Sequence, residues 1–236
     1  ISDIKNLIEI TKYLKNNGYM VTINIMKCHL LNINEIKKLK IIIKRLFIDV
    51  IYIADSLGCC LPEDINQIVK KLKLTSELDI GIHAHDNKGL ALANTLAGLN
   101  GGARYLDSTM LGMGRGAGNT KTEELLPIIY KKNNLQEFIP IANFIDKFQK
   151  PLLKEKAWGS SIYYNISASL KLHPTYIQEM SSNKNFTPHD VINFITTLSS
   201  NEKDIFSKST YEEITNPYNE VKHCSWSPSE ILFNKD

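Results

Sequence analysis

Four times in its first 130 residues the chain repeats one unit: a short β-branched, apolar run, then a stretch with apolar residues three and four apart. The runs fall at 20–26, 50–55, 80–85 and 104–109. Short runs that are apolar at most positions are what strands covered on both faces require. Alternated with helices they make βαβ units, and such units build a parallel sheet. The fold class read from this pattern is α/β over residues 1–130.

The segments between the runs carry helix signals. Asn32 and Glu35 have the spacing of a capping box ahead of Ile36, Leu39 and Ile43. Pro62 stands where a first helical residue would, followed by Ile65, Ile68, Val69 and Leu72. Leu90, Ala93, Leu96 and Ala97 form a third stripe. Thr120 with Glu123 is a second capping box, opening a helix through Leu125, Leu126 and Ile129. Beyond Lys131 the strand runs stop. The periodicity there predicts helices near 135–148, 160–171, 175–182 and 188–200, an all-helical region over 131–236. The polar stretch 181–185 reads as a surface loop, and the last twenty residues, with Pro217, Pro228 and Asn234, as weakly ordered.

Composition excludes some classes of function. The 28 basic and 25 acidic residues leave a formal charge of +3, without the clustered excess that nucleic acid demands. No stretch approaches the roughly 18 apolar residues that span a bilayer, and no charged-then-apolar leader opens the chain. Neither a nucleic-acid nor a membrane partner is expected. Cys28, Cys59, Cys60 and Cys224 lack CxxC spacing, and the adjacent Cys59 and Cys60 are poorly placed to bridge, so neither a disulfide framework nor a zinc knuckle is indicated. A reducing environment fits, and the expected location is the cytoplasm. The chain opens at Ile1 inside a helical pattern, from which an upstream portion of the gene product is expected.

In a parallel α/β barrel the βα loops converge at one mouth, so functional groups belong at the C-terminal ends of strands. The polar residues of the four runs fall there. His83 and His85 lie two apart on one strand, so both imidazoles face the same side with α-carbons roughly 6.5–7 Å apart. That spacing lets two ring nitrogens approach one ion at about 2.1 Å. The Asp86-Asn87 pair that follows is suited to orient a liganding imidazole. Asp55 and Asp107 close the neighbouring runs at the same level, although each would serve equally as a cap or loop acceptor. The fourth run leads into a loop with Gly112, Gly114, Gly116 and Gly118, which either brings N–H groups to an anion ahead of Asn119 or tightens the backbone.

Three motifs taken in order, Asp55-Ser56-Leu57-Gly58, His83-Ala84-His85-Asp86-Asn87-Lys88-Gly89-Leu90 and Gly112-Met113-Gly114-Arg115-Gly116-Ala117-Gly118-Asn119, resemble the DRE-TIM metallolyase superfamily of HMG-CoA-lyase-like enzymes and pyruvate aldolases. Within it the sequence is most similar to the 4-hydroxy-2-oxovalerate aldolase group. Asn24-Ile25-Met26 and Trp158-Gly159 contribute, and the likeness reaches about residue 180. The lyase branch carries a cysteine in its glycine-rich loop. None occurs between Cys60 and Cys224 here, which argues against HMG-CoA lyase itself.

The resemblance implies that residues 1–130 are the C-terminal half, strands five to eight, of a TIM (β/α)8 barrel, followed by the helical region. It implies that His83 and His85 are two of three protein ligands to Mn2+ or Mg2+. The third ligand, an aspartate, and an enolate-steadying arginine belong to a strand-one motif that these residues do not contain. Asp55 and Tyr164 are then catalytic candidates, with Tyr163 an alternative to Tyr164 and with packing of both tyrosines on the barrel an equal alternative. Asn24, Asp107 and Asn119 are candidate substrate-binding residues. The implied activity is metal-dependent cleavage of a 4-hydroxy-2-oxo acid to pyruvate and an aldehyde, or its reverse, with the isolated chain expected to be inactive. A homo-oligomer and an aldehyde dehydrogenase partner are expectations of the same kind. Two readings stay open beside it: a Claisen-type acyltransferase of the isopropylmalate synthase kind, and a non-catalytic barrel fragment. A Schiff-base aldolase fits poorly, since Lys27 and Lys88 sit at strand ends.

Overall fold

The computed structural model describes residues 4–130, 135–183, 186–198 and 204–221. Strands β1 (Thr22–Ile25), β2 (Val50–Asp55), β3 (Asp79–Ala84) and β4 (Tyr105–Leu106) form one parallel sheet in the order β1-β2-β3-β4. Helices α1 (Ile4–Asn16), α2 (Ile33–Ile43), α3 (Pro62–Thr75), α4 (Ala91–Gly101) and α5 (Thr122–Ile129) alternate with them. This is the four-unit parallel α/β arrangement anticipated from the strand repeat, and it fits the partial barrel that the resemblance implies. β4 keeps only two of its six expected residues. Past Asp107 the backbone leaves β3, and Thr109 N–H turns to the carbonyl of Thr120.

Two expected caps change. Asn32 caps α2 by accepting from the N–H groups of Asn34 and Glu35, but Glu35 pairs outward with Lys38 at 2.9 Å rather than reaching back. Thr120 caps nothing. It is 1% exposed, its hydroxyl bonds that of Thr95 at 2.8 Å, and its N–H donates to Ala84. Burial in this extended segment holds it away from α5, which starts two residues later, while the Glu123 carboxylate accepts from Leu111 N–H. Pro62 does open α3, and the Asp64 carboxylate accepts the Leu61 N–H ahead of it.

Strand alternation divides the sheet into two faces. Ile51, Ile53, Ile80 and Ile82, all fully buried, point to the helix side and pack with Ile65, Val69 and Leu72 of α3. Gly98 of α4 rests on the Ile82 side chain, where any Cβ would collide. The other face carries Asn24, Tyr52, Ala54, Gly81 and His83, aligned by the pairings Asn24↔Tyr52, Tyr52↔Gly81 and Ala54↔His83.

The C-terminal region is helical as expected, with shifted boundaries. A 3-10 turn (Leu135–Phe138), α6 (Ile139–Phe144), a π turn (Ile145–Gln149) and α7 (Lys150–Lys156) run on as one stretch past the expected end near 148. The wide turn ends two residues before Pro151, which has no N–H to give a regular helix. Helices α8 (Ile162–Ser169), α9 (Pro174–Ser182) and α10 (Pro188–Thr197) follow, and α11 (Lys208–Val221) was not anticipated. Tyr176, Ile177, Met180, Phe194 and Ile195 make a second apolar core. The two cores interlock, because Ala168 of α8 packs in the first and Ala117 of the glycine-rich loop in the second. Of the expected loop at 181–185, Ser181 and Ser182 close α9 while Lys184 and Asn185 lie outside the described residues, as do Cys224 and the terminal residues after Val221. Among the described residues no helix is long and apolar enough to cross a membrane.

Candidate metal centre

β3 delivers both histidines to one place. His83 lies on the face away from the helices, and His85, just past the strand end, forms an antiparallel bridge with Asn119. Their ring centroids are 5.0 Å apart with planes at 83°. The two imidazoles therefore sit on the same side, as the period of two requires.

Each ring has a distinct environment. His83 Nδ1 lies 3.0 Å from Asp107 Oδ2, which fixes the ring and leaves Nε2 toward the open face. Asp107 is brought there because its N–H continues the ladder to the Ile82 carbonyl. The expected orienters do other work. Asp86 accepts the Ala91 N–H at the start of α4, and Asn87 spans the Leu57 carbonyl and the Ala117 N–H. Burial pushes His85 down to about 4, and the neighbouring His83 and Arg115 charges add to the effect. Its Nδ1 is buried without a hydrogen bond. A neutral imidazole with an unsatisfied buried nitrogen has the chemistry of a metal ligand, so the donor set fits a cation here.

Tyr52 is a rim residue that the sequence reading missed. Its ring lies across Gly81, where a Cβ would come within 2.5–2.7 Å of Cε1, Cδ1 and Cζ. Burial, then the charge of Asp107 and a hydrogen bond to it, push the phenol up to about 12. Tyr105 stands on the same side, 6.4 Å from Tyr52 between centroids. A tyrosine opposite a strand glycine was the available signal, but only the register reveals the pairing.

The other expected residues divide. Asn24 is exposed on the histidine face, in register with Tyr52. Asn119 bridges His85 through its backbone, donates its amide to the Met113 carbonyl at 3.1 Å, and keeps a buried, unbonded Oδ1. Asp55 is a correction. It pairs in register with Ala84, faces the helix side and is 0% exposed, so it cannot serve the rim. Its carboxylate accepts the N–H groups of Cys59 at 3.0 Å and Cys60 at 3.1 Å, fastening the β2–α3 turn. Burial raises its pKa against the pull of those bonds. Tyr164 is 8% exposed within the second core, its ring against Gly116; Tyr163 packs on the same core. Among the described residues no hydrogen bond joins Tyr164 to the histidines or Asp107.

The glycine-rich loop tightens rather than cradles. Asn119 N–H goes to Gly112, Gly118 N–H to Arg115, and Ala117 N–H to Asn87. Gly118, at φ +92°, passes so close to the Gly112 carbonyl that no side chain fits. Those three N–H groups are therefore taken by protein acceptors, and Trp158 Nε1 secures the loop by donating to the Leu111 carbonyl at 2.9 Å.

Comparison with known proteins supplies an independent line. A family model described as HMGL-like matches residues 2–145. A 4-hydroxy-2-oxovalerate aldolase of Carboxydothermus hydrogenoformans is 36% identical over 132 residues, 53% of this chain and 39% of that protein. An oxaloacetate decarboxylase of Mycobacterium tuberculosis is 33% identical over 121 residues, 51% of this chain and 36% of that protein. The chain thus spans well under half the length of these curated relatives. Among solved structures, the N-terminal domain of a candidate aldolase from Bacteroides vulgatus superposes with a TM-score of 0.68 at 28% identity, covering 81% of this chain and 63% of that one.

Proposed function

The chain belongs to the HMGL-like family, and from that premise we propose that it supplies the histidine side of a divalent-metal aldolase that cleaves a 4-hydroxy-2-oxo acid to pyruvate and an aldehyde, or joins them. The observation that carries the reading is the pair of imidazoles on one sheet face, with His83 fixed by Asp107 and His85 holding a buried nitrogen unbonded. His83 and His85 would hold Mn2+ or Mg2+. When bound, such a cation polarises the carbonyl and carboxylate of a 2-oxo acid.

The chain's own groups have defined tasks. Asp107 accepts the proton on His83 Nδ1, so the ring presents the lone pair of Nε2 to the open face. Tyr52, with a pKa near 12, stays a neutral phenol at physiological pH and offers a donor beside that face. The exposed Asn24 amide offers both a donor and an acceptor one strand away. Cleavage between C3 and C4 of a 4-hydroxy-2-oxo acid leaves the bonding electron pair on a pyruvate enolate while the 4-hydroxyl proton departs with a base. Loss of carbon dioxide from oxaloacetate leaves the same enolate. Relatives named for both reactions therefore support a rim shaped for that common fragment.

The test is Mn2+ binding by the 236-residue chain, paired with pyruvate release from 4-hydroxy-2-oxo acids by this chain joined to the part of the Carboxydothermus aldolase that it does not match. Stoichiometric Mn2+ binding lost in His83→Asn, with release abolished by EDTA, supports the reading. Release insensitive to EDTA, or Mn2+ binding unchanged in a His83→Asn/His85→Asn double variant, overturns it.

A further inference from the structure

On the helix side of the sheet, opposite the histidines, Cys28, Asp55 and Cys60 each present a donor atom within 4.8 Å of the other two, and all three residues are buried. They come from separate elements: the turn after β1, the end of β2 and the approach to α3. Cys28 Sγ and Cys60 Sγ are 3.6 Å apart and the thiols are free. That is far beyond the ~2.05 Å of a disulfide. It matches the roughly 3.8 Å between two thiolates bound at ~2.3 Å to one tetrahedral zinc ion. Asp55 is already aimed by the N–H groups of Cys59 and Cys60; its Oδ2 also accepts from the Asn94 amide at 3.4 Å, which leaves Oδ1 with a second lone pair for a metal.

A second observation adjoins the first. His29, next to Cys28, has a buried Nδ1 with no hydrogen bond. It lines a cavity of about 270 Å³ together with Cys59, Cys60 and Lys171, so that Cys60 of the three donors faces open space. An unbonded buried nitrogen beside buried sulfur is costly unless something coordinates it.

We propose that Cys28, Cys60 and Asp55 bind a divalent cation of the zinc class. On binding, two sulfur–metal bonds form and the two thiol protons pass to the buffer. Sulfur donors select a softer cation than the histidine rim does, so the two sites sort metals by ligand type. The site ties the turn after β1 to the loop after β2. Those same turns are already joined by the Lys27 N–H to Ser56 Oγ bond of 3.0 Å. Its role is to hold two rim loops in place, and it stands whether or not the aldolase reading does.

The 236-residue chain carrying His83→Asn and His85→Asn is titrated with Co2+, which removes the rim site from the readout. The near-ultraviolet thiolate-to-cobalt charge-transfer band is expected, saturating at one equivalent, displaced by Zn2+, and lost in an added Cys60→Ala. Absence of the band, or its persistence in a folded Cys28→Ala/Cys60→Ala variant, overturns the proposal. Because buried cysteine variants can fail to fold, zinc retained through gel filtration by the unsubstituted chain is measured as well. Retention there with protection of the thiols from a disulfide reagent supports the site, and fully reactive thiols in zinc-loaded protein refute it.

Discussion

Gly81→Ala adds a single carbon in the middle of β3, where the histidine face is most crowded. The new Cβ would stand 2.5 Å from Tyr52 Cε1, whereas carbon atoms rest at about 3.5–4.0 Å, so the ring must retreat by about 1 Å. Tyr52 is only partly buried and can swing, which places the overpacking cost at the lower end of about 1–3 kcal/mol. Against it, the alanine restricts the unfolded chain, worth about 0.4–1 kcal/mol. The net expectation is a small destabilisation of about 0.5 kcal/mol or less, measured by urea unfolding at constant m-value. The same substitution in a Tyr52→Ala background should cost nothing or stabilise slightly, because the obstructing ring is gone. An equal penalty in both backgrounds would refute the reasoning, since the strain would then lie in the strand backbone.

Asp107→Asn should weaken Mn2+ binding about tenfold, the lower end for loss of a histidine's supporting carboxylate, because an amide oxygen still accepts; titration calorimetry checks it. Asp55→Ala should destabilise by about 2–4 kcal/mol, since the Cys59 and Cys60 N–H groups lose their acceptor inside the core, and a shift below 1 kcal/mol in urea would contradict the assigned role. Asp49 has a depressed pKa through its bond to Lys15, then the Val21 N–H. Its contribution is therefore fully present above the unfolded carboxylate pKa and is lost as pH falls through the lower folded value. At 34% side-chain exposure it is worth at most about 1 kcal/mol, and Asp49→Asn should flatten the stability profile below about pH 4 by that amount.

The sheet was legible because its strands are short, β-branched and evenly interrupted, and the histidine pair because two residues on one strand fix their own geometry. Asp55 was misplaced because β2 is apolar on both faces, so its polarity pattern gives no parity. Counting from Ile51 and Ile53 would have put it on the helix side. Tyr52, Asp107 and Gly81 meet only through the register of three strands, which no local spacing encodes. Cys28 and Cys60 are likewise joined by topology alone. α11 was hidden by Pro217 and by a thin apolar stripe that becomes meaningful only where Tyr211 and Ile214 meet the second core. Thr120 had a helix-starting spacing, but the pull of a buried extended segment outweighed it.

In β3, neighbouring residues answer to opposite masters: Ile82 and Ala84 fill the aliphatic layer, while His83 looks the other way. Deleting one residue from the middle of this segment would turn an imidazole into hydrocarbon and bring a methyl group to the mouth. Descendants of this sequence can exchange side chains here freely but can alter its length only in steps of two, so insertions and deletions should accumulate in the connections and leave these six positions ungapped.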